Sequence, residues 1–193
     1  MATEHKDILD PYRHEPKGAD TAAVGTIYVA DGAGGGVWEH TSNSVHGDMV
    51  ITSGAVATVV AAAADATLNT DTDYVKVTAG WALGHMDGLT FNTDEIVVPV
   101  GGEYEIAFWA DILVPKNNNF VGIKYAVNDT APYSGRKIIA QSTTVNDYLN
   151  MSGFGIVTSL SPLDTLSIYV ACSQADSVII QEAGLLVKLL DEA

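Results

Sequence analysis

Short apolar segments separated by turn-forming residues fill the chain from residue 74 onward. Asn, Asp, Gly, Pro or Ser stands between each segment and the next, and no stretch of this half has the apolar spacing of an amphipathic helix. Many short strands at regular spacing are typical of a β-sandwich or β-barrel. The sequence therefore predicts an all-β fold. The segments are DYVKVT, GLTFN, EIVVPV, EYEIAFWADILV, FVGIKYAVN, RKIIAQ, YLNMSGFGIVTSL, DTLSIYVACS, SVIIQEA and GLLVKLL.

The region before residue 74 has a weaker pattern. Residues 41–54 form a polar connection that contains one β-prone run, DMVIT. The segment AVATVVAAAADATL favours a helix by its alanines and a strand by its valines and threonine. The sequence leaves both structures open for residues 55–66.

The strand EYEIAFWADIL separates its side chains into two sets. Tyr104, Ile106 and Phe108 begin an entirely apolar set, which Ala110 and Ile112 continue. Side chains alternate across a strand, so this set must face the core and Trp109 must lie outside it.

The last predicted strand is apolar on both faces, since Leu185, Val187 and Leu189 alternate with Leu186, Lys188 and Leu190. A sheet open to water on its outer side should carry polar residues there. We therefore predict that Trp109, Leu186 and Leu190 form a trimer interface with other copies of the chain. The alternative is that the N-terminal arm or residues 55–66 cover them.

The first 25 residues show neither helical nor strand periodicity, which predicts an extended arm. The runs TIYV and VWEH flank DGAGGG and predict a small hairpin over residues 26–40. Two strands alone are marginally stable in water, so this unit needs a surface to lie on. We expect residues 1–45 to anchor the protein to a partner and residues 46–193 to form the folded domain.

The charge balance excludes several classes of partner. The chain has 9 Lys and Arg against 24 Asp and Glu, a net charge of −15. Such a chain repels nucleic-acid phosphates and anionic lipid, and it has no apolar run of membrane-spanning length. The first ten residues lack a secretory signal pattern, and Cys172 lies in an apolar strand, so we expect synthesis in the cytoplasm and a buried, inert thiol.

No catalytic, cofactor or metal motif is present in the sequence. The histidines show no zinc-ligand spacing and are expected to be exposed. The loop carboxylates lack the alternating pattern of a calcium loop, and DGAGGG lacks the Lys-Ser/Thr of a phosphate loop. We therefore expect no enzyme activity, no cofactor and no bound metal. The histidines are His5, His14, His40, His46 and His85.

Two segments resemble a known fold family. VPVGGEYEIAFWADI, with Gly102, Glu103 and Tyr104, resembles the start of the long strand in tumour-necrosis-factor-like and complement-type jelly rolls. SPLDTLSIYVACS resembles a later strand of the same fold, and GLLVKLL its closing strand. The similarity covers about residues 74–190, and it implies a jelly-roll β-sandwich that assembles as a trimer.

The front of the chain resembles an N-terminal segment that recurs in virion proteins of tailed bacteriophages. HEPKG and YVADGAGGGVW carry the resemblance, which implies a segment that attaches its domain to the particle. The anchoring residues that it implies are Arg13, His14, Glu15, Pro16, Lys17, Gly18, Tyr28 and Trp38.

The leading hypothesis is a phage virion protein on the capsid surface, a homotrimer that decorates and cements the major capsid protein through its N-terminal arm. The alternative is a short tail-fibre or appendage protein that binds a host-surface glycan. A soluble carbohydrate-active enzyme is a third, unrelated hypothesis.

Overall fold

The computed structural model describes residues 26–30, 36–40, 45–52, 56–129 and 137–192. The residues predicted to form the extended arm, including Arg13 to Gly18, lie outside these ranges. The strands are β1 (Thr26–Ala30), β2 (Gly36–His40), β3 (His46–Ile51), β4 (Val56–Val60), β5 (Val75–Lys76), β6 (Ala82–Asp87), β7 (Thr90–Asn92), β8 (Glu95–Val97), β9 (Gly102–Val114), β10 (Phe120–Val127), β11 (Lys137–Gln141), β12 (Asp147–Leu160), β13 (Thr165–Cys172) and β14 (Asp176–Glu192).

Two antiparallel sheets form a β-sandwich with the jelly-roll fold, as the sequence predicts. The first sheet has the order β12–β9–β14–β3–β6, and β4 also pairs with β14. The second has the order β11–β10–β13–β8–β7, and β5 also pairs with β13. The hairpin β1–β2 forms a small sheet of its own. The described residues contain no α-helix, only strands, turns and one 3₁₀ turn at Asp71–Asp73.

Strands β9 and β14 supply much of the core between the two sheets. The predicted inward set of β9, from Tyr104 to Ile112, is at most 2% exposed, which confirms the alternation. Leu185, Val187 and Leu189 of β14 are fully buried beside it. The Phe108 ring of β9 meets Tyr125 of the second sheet edge-on, with ring centroids 5.7 Å apart.

Within residues 55–66, which the sequence leaves open, Val56–Val60 form a strand that pairs with the first part of β14. The chain then crosses the second sheet, where Leu68 and Tyr74 bury Ala126 and Tyr169 on its outer side. This crossing segment covers the second sheet, so it does not cover the outer face of the first.

Three strands and one histidine differ from what the sequence predicts. ALGHMD, which carries no strand prediction, forms β6. SVIIQEA and GLLVKLL are one continuous strand, because a register shift between Ile180 and Glu182 keeps β14 paired with β9. DYVKVT is a strand only at Val75–Lys76. His46, predicted to be exposed, has a buried Nδ1 atom because β14 and β6 flank its strand.

The thiol of Cys172 is fully buried, as predicted. Burial, together with the nearby Asp176 carboxylate, raises its pKa to about 12. The thiolate is the reactive form of cysteine, so this side chain is inert at neutral pH.

An ion cluster joins four parts of the second sheet. Lys76 of β5 pairs with Glu95 of β8 and with Asp129, whose Oδ2 lies 2.9 Å from the lysine Nζ. Asp129 Oδ1 accepts hydrogen bonds from Tyr169 and Ser167 of β13. Burial alone would raise the pKa of Asp129, but the hydrogen bonds from Lys76, Tyr169 and Ser167 outweigh it and lower the pKa below its usual value.

We expect Asp129→Asn to reduce the unfolding free energy at pH 7 by about 1 kcal/mol, because a charged hydrogen-bond acceptor at a partly exposed site is lost. A carboxylate with a depressed folded-state pKa stabilises the fold above its unfolded pKa, and this stabilisation is lost as the pH falls through the folded-state value. The difference between wild type and variant should therefore shrink from pH 7 to pH 3 in urea unfolding. An equal difference at both pH values would contradict this role.

Candidate protein-interaction surface

The outer face of the first sheet carries large apolar side chains at its centre. Trp109 of β9 is 38% exposed and Leu186 of β14 is 38% exposed. On the edge strand β12, Phe154 is 59% exposed and Ile156 is 38% exposed. We call these four side chains the apolar patch.

Strand register makes the apolar patch continuous. Phe154 pairs with Ala107, which pairs on its other side with Leu186. Trp109 stands in the next row of outward positions, and Ile156 stands in the row on the opposite side of Phe154. Directly opposed and diagonal outward neighbours on adjacent strands touch in a sheet, so the four side chains share one surface.

Gly184 permits the position of the Trp109 ring. It pairs with Trp109 across β14 and β9, and a Cβ atom built on it would overlap the six-membered ring. The indole therefore lies flat across the neighbouring strand, and any side chain at 184 would displace it.

Polar groups border the apolar patch on both sides. The row beyond Trp109 holds Asn150, Asp111 and Glu182, and the row of Ile156 also holds Glu105 and Lys188. An exposed apolar area inside a polar rim is typical of a protein–protein contact surface.

The three residues that the sequence assigns to a trimer interface do not all come together. Trp109 and Leu186 lie in adjacent rows and are both in the apolar patch. Leu190 sits where the register shifts between Leu189 and Asp191, and its side chain is half-buried. Phe154 and Ile156 were missed from the sequence, although alternation along YLNMSGFGIVTSL would have put them on one face.

The two described anchoring residues face each other in the hairpin. Tyr28 pairs with Trp38, and their rings meet edge-on with centroids 5.4 Å apart. The opposite face exposes Ile27, Val29 and Val37. The hairpin thus carries apolar side chains on both faces, and the face of Ile27, Val29 and Val37 is the exposed one.

The described ranges hold no group of three or more His, Cys, Asp or Glu side chains placed to bind a metal ion. No helix there is long and apolar enough to cross a membrane.

Three solved structures are similar to this chain. The Eiger TNF from S. frugiperda matches with 14% identity over 78% of this chain and 95% of its own, at a TM-score of 0.51. The globular domain of the zebrafish complement 1qA protein has 14% identity over 78% and 99%, at 0.48. The PRD1 vertex protein P5 has 13% identity over 77% and 99%, at 0.47.

At this level of identity the likeness to Eiger TNF shows a shared fold, which is the jelly roll expected from Gly102 to Tyr104 and the strands that follow. No protein-family model matches the sequence, and no curated protein sequence matches it.

We expect Gly184→Ala to displace the Trp109 ring and to destabilise the protein by about 1 kcal/mol. This is the low end of the cost of overpacking, because the ring is open to solvent on one side and can move. Chemical unfolding measures the loss of unfolding free energy, and a change in tryptophan emission reports the displacement of the Trp109 ring.

Trp109→Ala provides the control for this prediction. With the ring gone, Gly184→Ala should cost almost nothing, since the two positions interact directly. Additive effects in the double variant would contradict the packing of the ring on Gly184.

Proposed function

We propose that the protein is a structural virion protein of a tailed phage, a homotrimer that decorates the capsid and binds the major capsid protein through its N-terminal arm. The observation that carries the trimer is the apolar patch on the outer face of the first sheet. The crossing segment after β4 covers only the second sheet, so the described chain leaves the patch uncovered.

Burial energetics favour a second copy as the cover. Trp109 and Phe154 still expose 38% and 59% of their surface. Covering that remainder, out of about 150–250 Å² for an aromatic side chain at about 25 cal/mol per Å², would contribute a few kcal/mol. A closed cyclic assembly covers the apolar patch of every copy, whereas a patch left exposed would favour aggregation. A jelly-roll sandwich can offer one sheet face in this way while the other stays covered by its own chain.

The attachment to the capsid is supported by the front of the chain. HEPKG and YVADGAGGGVW resemble the N-terminal segments of tailed-phage virion proteins. The hairpin within that region forms its own two-stranded sheet and exposes Ile27, Val29 and Val37 on one face. Among the described residues no third strand pairs with the hairpin, so its two edges suit strand addition to a partner. In a trimer, three such arms would bind together and gain avidity.

We expect Trp109→Asp to shift the protein from trimer to monomer while leaving the fold intact, because it places a charge at the centre of the apolar patch. Sedimentation or light scattering would measure the mass, and circular dichroism would check the fold. Leu163→Asp is the control, since Leu163 is 76% exposed in a turn outside the patch and should leave the mass unchanged. A wild-type protein that is monomeric at micromolar concentration would refute the trimer.

We expect Trp38→Ser to abolish binding to capsids while the protein stays trimeric, because it removes half of the aromatic pair in the hairpin. Co-sedimentation with phage heads that lack the protein measures the binding. If the Trp38→Ser variant still saturates the heads, the hairpin is not part of the anchor. Binding of the wild type to tails or to host glycans in place of heads would favour the appendage alternative.

A further inference from the structure

A groove of about 310 Å³ adjoins the apolar patch at Leu186. Its other lining residues are His46, Gly47 and Asp48 of β3 and Lys188 of β14. Leu186 therefore belongs both to the groove and to the patch, so a molecule that covers the patch also reaches the groove.

Lys188 differs from the other lysines in the described ranges. Lys76 is paired with carboxylates, and Lys116 and Lys137 donate to backbone carbonyl oxygens. Lys124 is buried against the Tyr74 ring, 4.1 Å from its centroid. Among these residues, Lys188 is the one whose ammonium group makes no ion pair, hydrogen bond or ring contact. Glu105 stands opposite it in the β9–β14 register, but their charged groups are more than 4 Å apart.

Covering the apolar patch would take Lys188 out of water, since its side chain is already half-buried. An ammonium group that is buried without a counter-charge is strongly destabilising, whereas a well-placed carboxylate offsets the cost. The same interface that the patch favours thus requires an anion at this groove.

The chemistry of the groove points to a carboxylate of a second copy of the chain. Asp48 and Glu105 beside the groove repel a free anion, but a carboxylate fixed to a docking partner arrives at a high effective concentration. The chain carries 24 acidic residues against 9 Lys and Arg, so a second copy presents carboxylates over much of its surface. The groove also places the His46 imidazole beside the incoming carboxylate.

We propose that Lys188 binds a carboxylate of the neighbouring copy in this groove, and that this ion pair fixes how the copies are oriented. The inference rests on the proposed trimer. It adds a residue that sets the register of the interface, whereas the apolar patch alone would allow the copies to slide.

Zero-length carbodiimide cross-linking tests this ion pair on the full chain. The reagent activates a carboxylate, and an adjacent lysine amine displaces the activating group to form an amide. With trimers assembled from mixed ¹⁵N-labelled and unlabelled chains, we expect a Lys188 cross-link that joins a labelled peptide to an unlabelled one, and its mass identifies the acidic partner. A cross-link from Lys188 to Glu105 of the same chain only, or no cross-link at Lys188, would overturn the proposal.

Substitution gives a second, independent measurement. Lys188→Met should weaken association by roughly ten-fold per interface, and Lys188→Arg should restore most of it. Lys116→Met removes the same charge from an exposed loop and should leave association unchanged. If the Lys188→Met variant associates as tightly as the wild type, the ion pair is overturned but the trimer is not. A monomeric wild type would overturn both.

Discussion

The structure depends on two central strands, β9 and β14, whose inner faces pack in the core and whose outer faces carry exposed apolar side chains. On the inner side β9 and β14 supply side chains to the core without interruption, from Tyr104 to Ile112 and from Leu185 to Leu189. On the outer side they carry Trp109 and Leu186, which no described part of the chain covers. The inner side holds the sandwich together, and the outer side leaves Trp109 and Leu186 partly exposed in the described part of the chain. The fold and the proposed assembly therefore come from the same two strands.

The sequence predicted what depends on local alternation. The period of two in EYEIAFWADIL places Trp109 outside the core whatever the partners of β9 are, because neighbouring side chains point to opposite faces. The long strands β9, β10, β12 and β13 carry this pattern clearly, and their turn residues mark their ends. The number of these strands predicted a sandwich or barrel, and the resemblance of VPVGGEYEIAFWADI, SPLDTLSIYVACS and GLLVKLL to a known fold family implied the jelly roll.

What the sequence could not predict depends on pairing between distant segments. ALGHMD has no apolar alternation, and it is a strand because it lies against β3, where Gly84 lets the Asp48 side chain approach its backbone. The Gln181–Gly184 stretch has the composition of a turn, yet its pairing with β9 keeps β14 unbroken. His46 has an ordinary polar setting in sequence, and its burial arises only from strands more than thirty residues away. The groove beside Lys188 was missed for the same reason.

Charge sets the remaining condition on assembly. Copies with a net charge of −15 repel one another, and over the Debye length of about 8 Å at physiological salt this repulsion acts directly across an interface. Association of the copies therefore needs a surface whose centre is apolar and whose acidic groups lie at the edge. The outer face of the first sheet has this arrangement, with Asp111, Glu182, Glu105 and Lys188 all at the rim of the apolar patch. The unpaired Lys188 ammonium then selects the orientation of the copies. Only an orientation that brings a carboxylate of the neighbouring copy to Lys188 avoids burying the ammonium without a counter-charge.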